Sequence, residues 1–147
     1  MRLTPNVLYV EDDADTRELM AFVLETEGYQ VVLAETCEEA LLLARVMRFD
    51  LIIMDNWMPG GSGIELCTKL REFDATTPVI FYSGAAYEHD KREALACGAQ
   101  AYLTKPTDND LLIETVARVI GETRRPLTPT VAVDAVVYNP FPALAFP

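Results

Sequence analysis

Tryptophan, histidine and cysteine are scarce in this chain of 147 residues: Trp57 and His89 stand alone, beside Cys37, Cys67 and Cys97. The cysteines are odd in number and include no C-x-x-C pair, which argues against a disulfide framework or a structural zinc site and makes a reducing cytoplasm the expected setting. Basic residues are also few, 12 against 23 acidic ones, for a formal charge of −11. A surface that wraps nucleic acid or coats an anionic membrane needs clustered Lys and Arg, so direct DNA binding and membrane binding are not expected. No apolar run approaches the ~20 residues needed to span a bilayer. The start, Met1-Arg2-Leu3-Thr4-Pro5, has no apolar stretch of the kind a signal peptide carries. What remains is a chain that is 50% hydrophobic, enough to build the core of one compact, acidic α/β domain.

Charge and glycine both run out near the C-terminus. Residues 1–122 hold 22 acids and 10 bases, a net of −12, whereas residues 123–147 hold Arg124, Arg125 and Asp134, five prolines and no glycine. The expected division is a domain over 1–122 and a proline-rich tail over 123–147. Of the 22 residues from 126 to 147, 13 are apolar and only Asp134 is charged, which is the wrong composition for a solvated linker. The run Val131–Tyr138 has strand-forming content, and Pro140-Phe141-Pro142 cannot continue a ladder. The expectation is that this tail packs on its own domain or forms a homodimer contact with a second subunit, the alternative being a linker cut from a longer regulator.

Within 1–122, five short apolar runs alternate with amphipathic stretches: Val7–Val10, Val31–Ala34, Leu51–Met54, Val79–Tyr82 and Ala101–Leu103. Continuous apolarity over four residues suits strands buried on both faces of a parallel sheet. Helical spacing is seen at Leu19, Phe22 and Val23. Helix starts are expected from capping-box spacing at Asp15-x-x-Glu18, Thr36-x-x-Glu39, Ser62-x-x-Glu65 and, more weakly, Thr107-x-x-Asp110. Gly28, Gly98 and Gly121 fall where helices need a stop. A doubly wound, flavodoxin-like (βα)5 fold with strand order 2-1-3-4-5 accounts for this alternation.

In such a fold the working groups collect beyond the C-terminal ends of the strands, where strand order reverses. The first run ends in Glu11-Asp12-Asp13, the third in Asp55, the fourth in Ser83 and the fifth in Thr104-Lys105-Pro106. Carboxylates ~4 Å apart repel by ~4 kcal/mol at an effective dielectric near 20, so a cation must offset them. All-oxygen ligands suit Mg²⁺ or Mn²⁺. Lys105 adds a fixed positive charge, and a metal, an ammonium, a hydroxyl and backbone N–H groups together favour a phosphoryl group, with a central Asp as its nucleophile.

Four segments, Val10-Glu11-Asp12-Asp13, Asp55-x-x-Met58-Pro59-Gly60, Tyr82-Ser83-Gly84 and Tyr102-Leu103-Thr104-Lys105-Pro106, resemble in order and spacing the CheY-like receiver domain of bacterial two-component response regulators. The resemblance covers roughly residues 4–122. It implies that Asp55 is the phospho-acceptor, and that Asp12 and Asp55 hold Mg²⁺ with Glu11 in support and the Trp57 backbone carbonyl as a further ligand. It also implies that Ser83 and Lys105 contact the phosphoryl group and that Tyr102 is an aromatic switch turning inward on phosphorylation. The Lys105–Pro106 bond is expected to be cis. The implied partners are a histidine kinase or phosphotransfer protein upstream and an unknown output protein reached through the fourth helix, fifth strand and fifth helix. The implied role is a phosphorelay switch and not an enzyme. Trp57, Ala85, Ser83 and Gly84 depart from the commoner residues at their positions, which bears on phosphoryl lifetime.

Several residues have plainer readings. Asp13 is expected to be a solvated neighbour, Ser62 a helix cap, His89 a surface side chain and the cysteines buried or half-buried thiols. Trp57 is expected to be exposed. The rival functions are a receiver cut from a DNA-binding regulator or hybrid kinase, a degenerate receiver used only for docking, and a Mg²⁺-dependent phosphatase. The last looks for Asp-x-Asp, which Asp55-Asn56-Trp57 lacks.

Overall fold

The computed structural model describes residues 4–84, 87–106 and 109–124. Thr107, Ala85 and the expected features of the tail from residue 125 onward lie outside them. The chain alternates β1 (Asn6–Val10), α1 (Ala14–Thr26), β2 (Gln30–Ala34), α2 (Cys37–Val46) and β3 (Leu51–Met54). A two-residue pair, β4 (Trp57–Met58) and β5 (Gly61–Ser62), then precedes α3 (Gly63–Arg71), β6 (Val79–Ser83), α4 (Glu88–Ala96), β7 (Ala101–Thr104) and α5 (Asn109–Arg124). The main sheet is wholly parallel in the order β2-β1-β3-β6-β7. This is the expected 2-1-3-4-5 order of the five long strands. The β4–β5 ribbon, closed by Pro59 and Gly60, was not foreseen, because two residues per strand leave no periodic signal.

Alternate strand residues feed two cores, as the two-residue period of a strand requires. Leu8, Val10, Ile52, Met54, Val79 and Phe81 pack with Ala40 of α2, Leu66, Cys67 and Leu70 of α3, and Ala94 of α4. Val7, Tyr9, Leu51, Ile53, Ile80 and Tyr82 pack with Met20 and Leu24 of α1 and Leu112, Val116 and Val119 of α5. Each fully buried Leu, Ile or Val contributes ~1.5–3 kcal/mol. β3 and β6 are buried throughout and β1 from Val7 onward, whereas β2 and β7, at the sheet edges, are largely half-covered.

The helix starts match the expected capping positions at α2 and α3 and differ from them at α1. Ser62 and Glu65 form a complete capping box. Thr36 caps α2 through the Glu39 N–H, but the Glu39 carboxylate accepts from Glu35 N–H and not from Thr36. The cap of α1 is Asp13, two residues before the expected Asp15; its carboxylate accepts from the N–H and hydroxyl of Thr16. Asp13 is therefore a structural cap, and these bonds hold its carboxyl below the usual carboxylate range. In α1 the inward face carries Met20 and Leu24, while Leu19 (57% exposed) and Phe22 (67%) point outward. Gly28 and Gly98 stop their helices at φ +97°, a conformation that costs a side chain but not glycine. Gly121 does not: α5 runs through it to Arg124.

Candidate functional site

Three strand ends converge. β1 delivers Glu11 and Asp12, β3 delivers Asp55, and one carboxylate oxygen from each of the three lies within 4.8 Å of the others. Glu11 is 2% exposed and Asp55 9%, while Asp12 is open to solvent. From the end of β7, Lys105 Nζ approaches Glu11 Oε1 at 2.5 Å and Asp55 Oδ2 at 3.1 Å. The parallel pairing of β6 and β7 makes this possible, because the Lys105 N–H donates to the carbonyl of Ser83, the last residue of β6, at 2.8 Å and continues the ladder one step past β7. The Lys105–Pro106 bond is cis, as expected.

Electrostatics tighten the cluster. Partial burial disfavours the charged ammonium, but the Glu11 and Asp55 carboxylates outweigh it and push Lys105 above the ordinary lysine range. At Glu11, burial raises the carboxyl, and Lys105 with the Asp13 N–H works against it. Asp55 is held at both oxygens: Oδ1 accepts from the Trp57 N–H at 3.1 Å, and Oδ2 from Lys105. Tyr9, beneath the cluster, has a buried hydroxyl with no hydrogen-bond partner among the described residues; burial first, then Glu11, drives its pKa upward.

Ser83, fully buried at the end of β6, lies diagonally across from Tyr102 of β7, whose register partner is Phe81. The Tyr102 ring stacks on Phe81 with centroids 5.5 Å apart and planes within 4°. Ser83 and Asn56 hydrogen-bond its hydroxyl, although burial outweighs them and raises the phenol. The half-buried Tyr102 ring is held inward over Phe81 by this stack and by its two polar partners. Trp57 places its backbone N–H on Asp55 and leaves its side chain 62% exposed.

Some supporting residues escaped sequence reasoning. Asn56 is buried; its Oδ1 accepts from the Ile64 N–H at 3.1 Å and its carbonyl from the Gly63 N–H at 2.9 Å, which fastens the β3 end to the start of α3. Arg17 donates to the Glu11 and Asp12 carbonyls at 2.9 and 3.2 Å. The available signals were weak: a polar residue directly after Asp55, and a glycine directly after the Ser62 cap. His89, expected on the surface, is exposed and pairs with Asp90.

The model of the response regulator receiver domain matches residues 7–117. The chain belongs to this family. The receiver is 45% identical over 101 residues to the KDP operon transcriptional regulatory protein KdpE of Escherichia coli K12, an alignment covering 69% of this chain and 44% of KdpE. The chain therefore spans less than half the length of that relative. Among solved structures, a CheY-like receiver protein of Methanospirillum hungatei superposes with a TM-score of 0.80 at 29% identity, covering 82% of this chain and 97% of that one. The Thermotoga maritima response regulator TrrA, solved in complex with Mg²⁺–BeF, gives 0.73 at 31% identity, over 79% of this chain and 99% of that one. The receiver is thus homologous to two-component response regulators, and its Glu11–Asp12–Asp55 cluster is compatible with a receiver metal site. Among the described residues no helix is long and apolar enough to cross a membrane.

Proposed function

We propose that this receiver is a cytoplasmic phosphorylation switch that takes a phosphoryl group onto Asp55 from a histidine kinase or phosphotransfer protein, with residues 1–122 as the switch and 123–147 as an accessory tail. The observation that carries the reading is the position of Asp55: a nearly buried carboxylate that accepts from Lys105 and the Trp57 N–H and shares its crevice with Glu11 and Asp12. In the transfer, an Asp55 oxygen forms a bond to phosphorus as the bond from phosphorus to the donor nitrogen breaks, and the electron pair returns to the donor ring. Lys105 meets the charge that develops on the phosphoryl oxygens.

Asp12 and Asp55, with Glu11 in support and the Trp57 carbonyl as a further ligand, would hold Mg²⁺ or Mn²⁺. The fit rests on three converging carboxylates, one of them open to solvent, a hard-oxygen set with room for waters. A bound divalent ion would neutralise phosphoryl oxygens and orient the incoming group.

Phosphorylation adds ~1.5–2 negative charges. A hydroxyl donates once and accepts twice, so Ser83 can donate to a phosphoryl oxygen while accepting from Tyr102. The inward Tyr102 is then favoured, and the α4–β7–α5 surface settles into the form a protein partner binds. Output passes through protein–protein contact, and the chain is an acceptor and not a turnover enzyme.

Trp57 reports on this directly, since its backbone is tied to Asp55. Its fluorescence should change on adding Mg²⁺ and again on adding beryllofluoride. Asp55→Asn should abolish the second change. No metal response together with no Asp55-dependent response would refute the acceptor role.

A further inference from the structure

Beyond the phosphoryl site, α3 and the end of α4 bring two of the three cysteines together. Cys67 is wholly buried on α3, and its Sγ lies 3.5 Å from the Cys97 carbonyl. Cys97, half-buried, follows the last turn of α4. Each thiol is the leading influence on the acidity of the other, and the Thr68 hydroxyl is 3.9 Å from Cys97 Sγ. Arg71 fixes the corner, its guanidinium donating to the Cys97 carbonyl at 3.2 Å and the Gly98 carbonyl at 3.1 Å.

The environment divides the pair into unlike halves. The Cys67 thiol, Thr68 and the Arg71 charge all stabilise a Cys97 thiolate, and against the opposing effect of burial they bring it down to about 7. The same proton-sharing, with burial, drives Cys67 strongly upward. A thiolate with partial access to solvent beside a protonated, buried thiol is the arrangement in which one sulfur is attacked first and the other resolves the product. Cys37 shows the contrast. Its Sγ lies 3.6 Å from the Ser62 carbonyl, and burial with the Glu65 charge raises it.

We propose that Cys97 and Cys67 form an oxidative modification site that takes a hydroperoxide, with Cys97 as the attacking sulfur and Cys67 as the resolving one. The Cys97 thiolate attacks a peroxide oxygen; the S–O bond forms, the O–O bond breaks and hydroxide leaves, the sulfur being oxidised to a sulfenic acid and the peroxide reduced. The Cys67 sulfur then displaces that hydroxyl, which departs as water with the Cys67 proton, and an S–S bond joins α3 to the end of α4. A dithiol reductant, itself oxidised to a disulfide, returns both cysteines to thiols.

The test uses the full chain with Cys37→Ser, treated with hydrogen peroxide and digested without reduction. A Cys67–Cys97 cross-linked peptide lacking two hydrogens, restored by dithiothreitol, is the expected product. Cys67→Ser should leave a Cys97 sulfenic acid that dimedone traps, and Cys97→Ser should give no product at either position. In the untreated native chain, iodoacetamide should label Cys97 at least about tenfold faster than Cys37 near neutral pH. The same disulfide should form with Asp55→Asn, which separates this site from the phospho-acceptor reading. Reduced thiols after peroxide, a Cys97–Cys97 link between chains, or equal labelling of Cys97 and Cys37 would each overturn it.

Discussion

A Cβ atom at Gly63 would lie 2.6 Å from the Asp55 carbonyl oxygen. It would also meet the Phe81 ring at 2.7 Å and Asn56 Cα at 3.0 Å. The first residue of α3 therefore presses on the backbone that presents the acceptor carboxylate. Backbone and aromatic ring line this contact, so no flexible side-chain end can swing away.

Gly→Ala at an ordinary helix position gains up to ~1 kcal/mol, but Gly63→Ala should cost ~1–3 kcal/mol through overpacking. It should also weaken the Asp55-dependent beryllofluoride response of Trp57. Urea denaturation of the variant settles the sign, and a stability equal to or above that of the wild type would show that the α3 start yields easily.

Lys105 offsets the charge of Glu11 and Asp55, so Lys105→Met should leave a buried carboxylate without its cation. Partial access to solvent reduces the penalty for a broken buried pair to ~2 kcal/mol in chelator. Mg²⁺ should then restore more stability to the variant than it adds to the wild type, because binding to the folded state alone stabilises it by mass action. Urea curves with and without Mg²⁺ give the comparison, and equal Mg²⁺ gains would separate Lys105 from the metal cluster.

Tyr102 contributes a ring and a hydroxyl that substitutions separate. Tyr102→Phe keeps the stack on Phe81 and removes the shared partner of Ser83 and Asn56, at a cost of ~1 kcal/mol. Tyr102→Ala loses the stack as well and should cost more, ~2 kcal/mol, short of a full core deletion because the ring is half-covered. Thermal melts of both variants check the order. A Phe variant as unstable as the Ala variant would mean that the polar pair, and not the stack, holds the ring inward.

How far the sequence disclosed this arrangement depends on the range of each signal. Four-residue apolar runs such as Leu51–Met54 imply burial on both faces, and the strand order follows from their alternation with helices. Acids and a lysine at strand ends are legible because the fold gathers strand ends. The sequence does not distinguish Asp13 from Asp15 as the cap of α1, because both precede helical spacing and only backbone geometry separates them. Leu19 and Phe22 share helical spacing with Val23, yet the inward face is fixed by what α1 meets, β1 and β2, which local periodicity does not encode. Gly63 and Asn56 act through contacts with Asp55 and Tyr102 that exist only once β3, α3 and β7 are assembled.

Asp74, between α3 and β6, gives a pH-dependent prediction away from the site. Its Oδ1 accepts from the N–H groups of Thr76 and Thr77, and its Oδ2 from the Thr77 hydroxyl. Burial acts to raise this carboxyl, but those bonds and the Arg71 charge outweigh it and hold the group below its usual range. The folded chain thus binds this proton less readily than the unfolded chain, whose aspartate titrates near ~3.9. The stabilisation is complete above that unfolded value and disappears as pH falls through the lower folded one. Asp74→Ala should cost ~1 kcal/mol near neutrality through its lost turn bonds. The gap in urea midpoint between wild type and variant should stay flat from neutrality to about pH 5 and narrow below about pH 4. A gap that widens in acid would mean that burial, and not hydrogen bonding, dominates at Asp74.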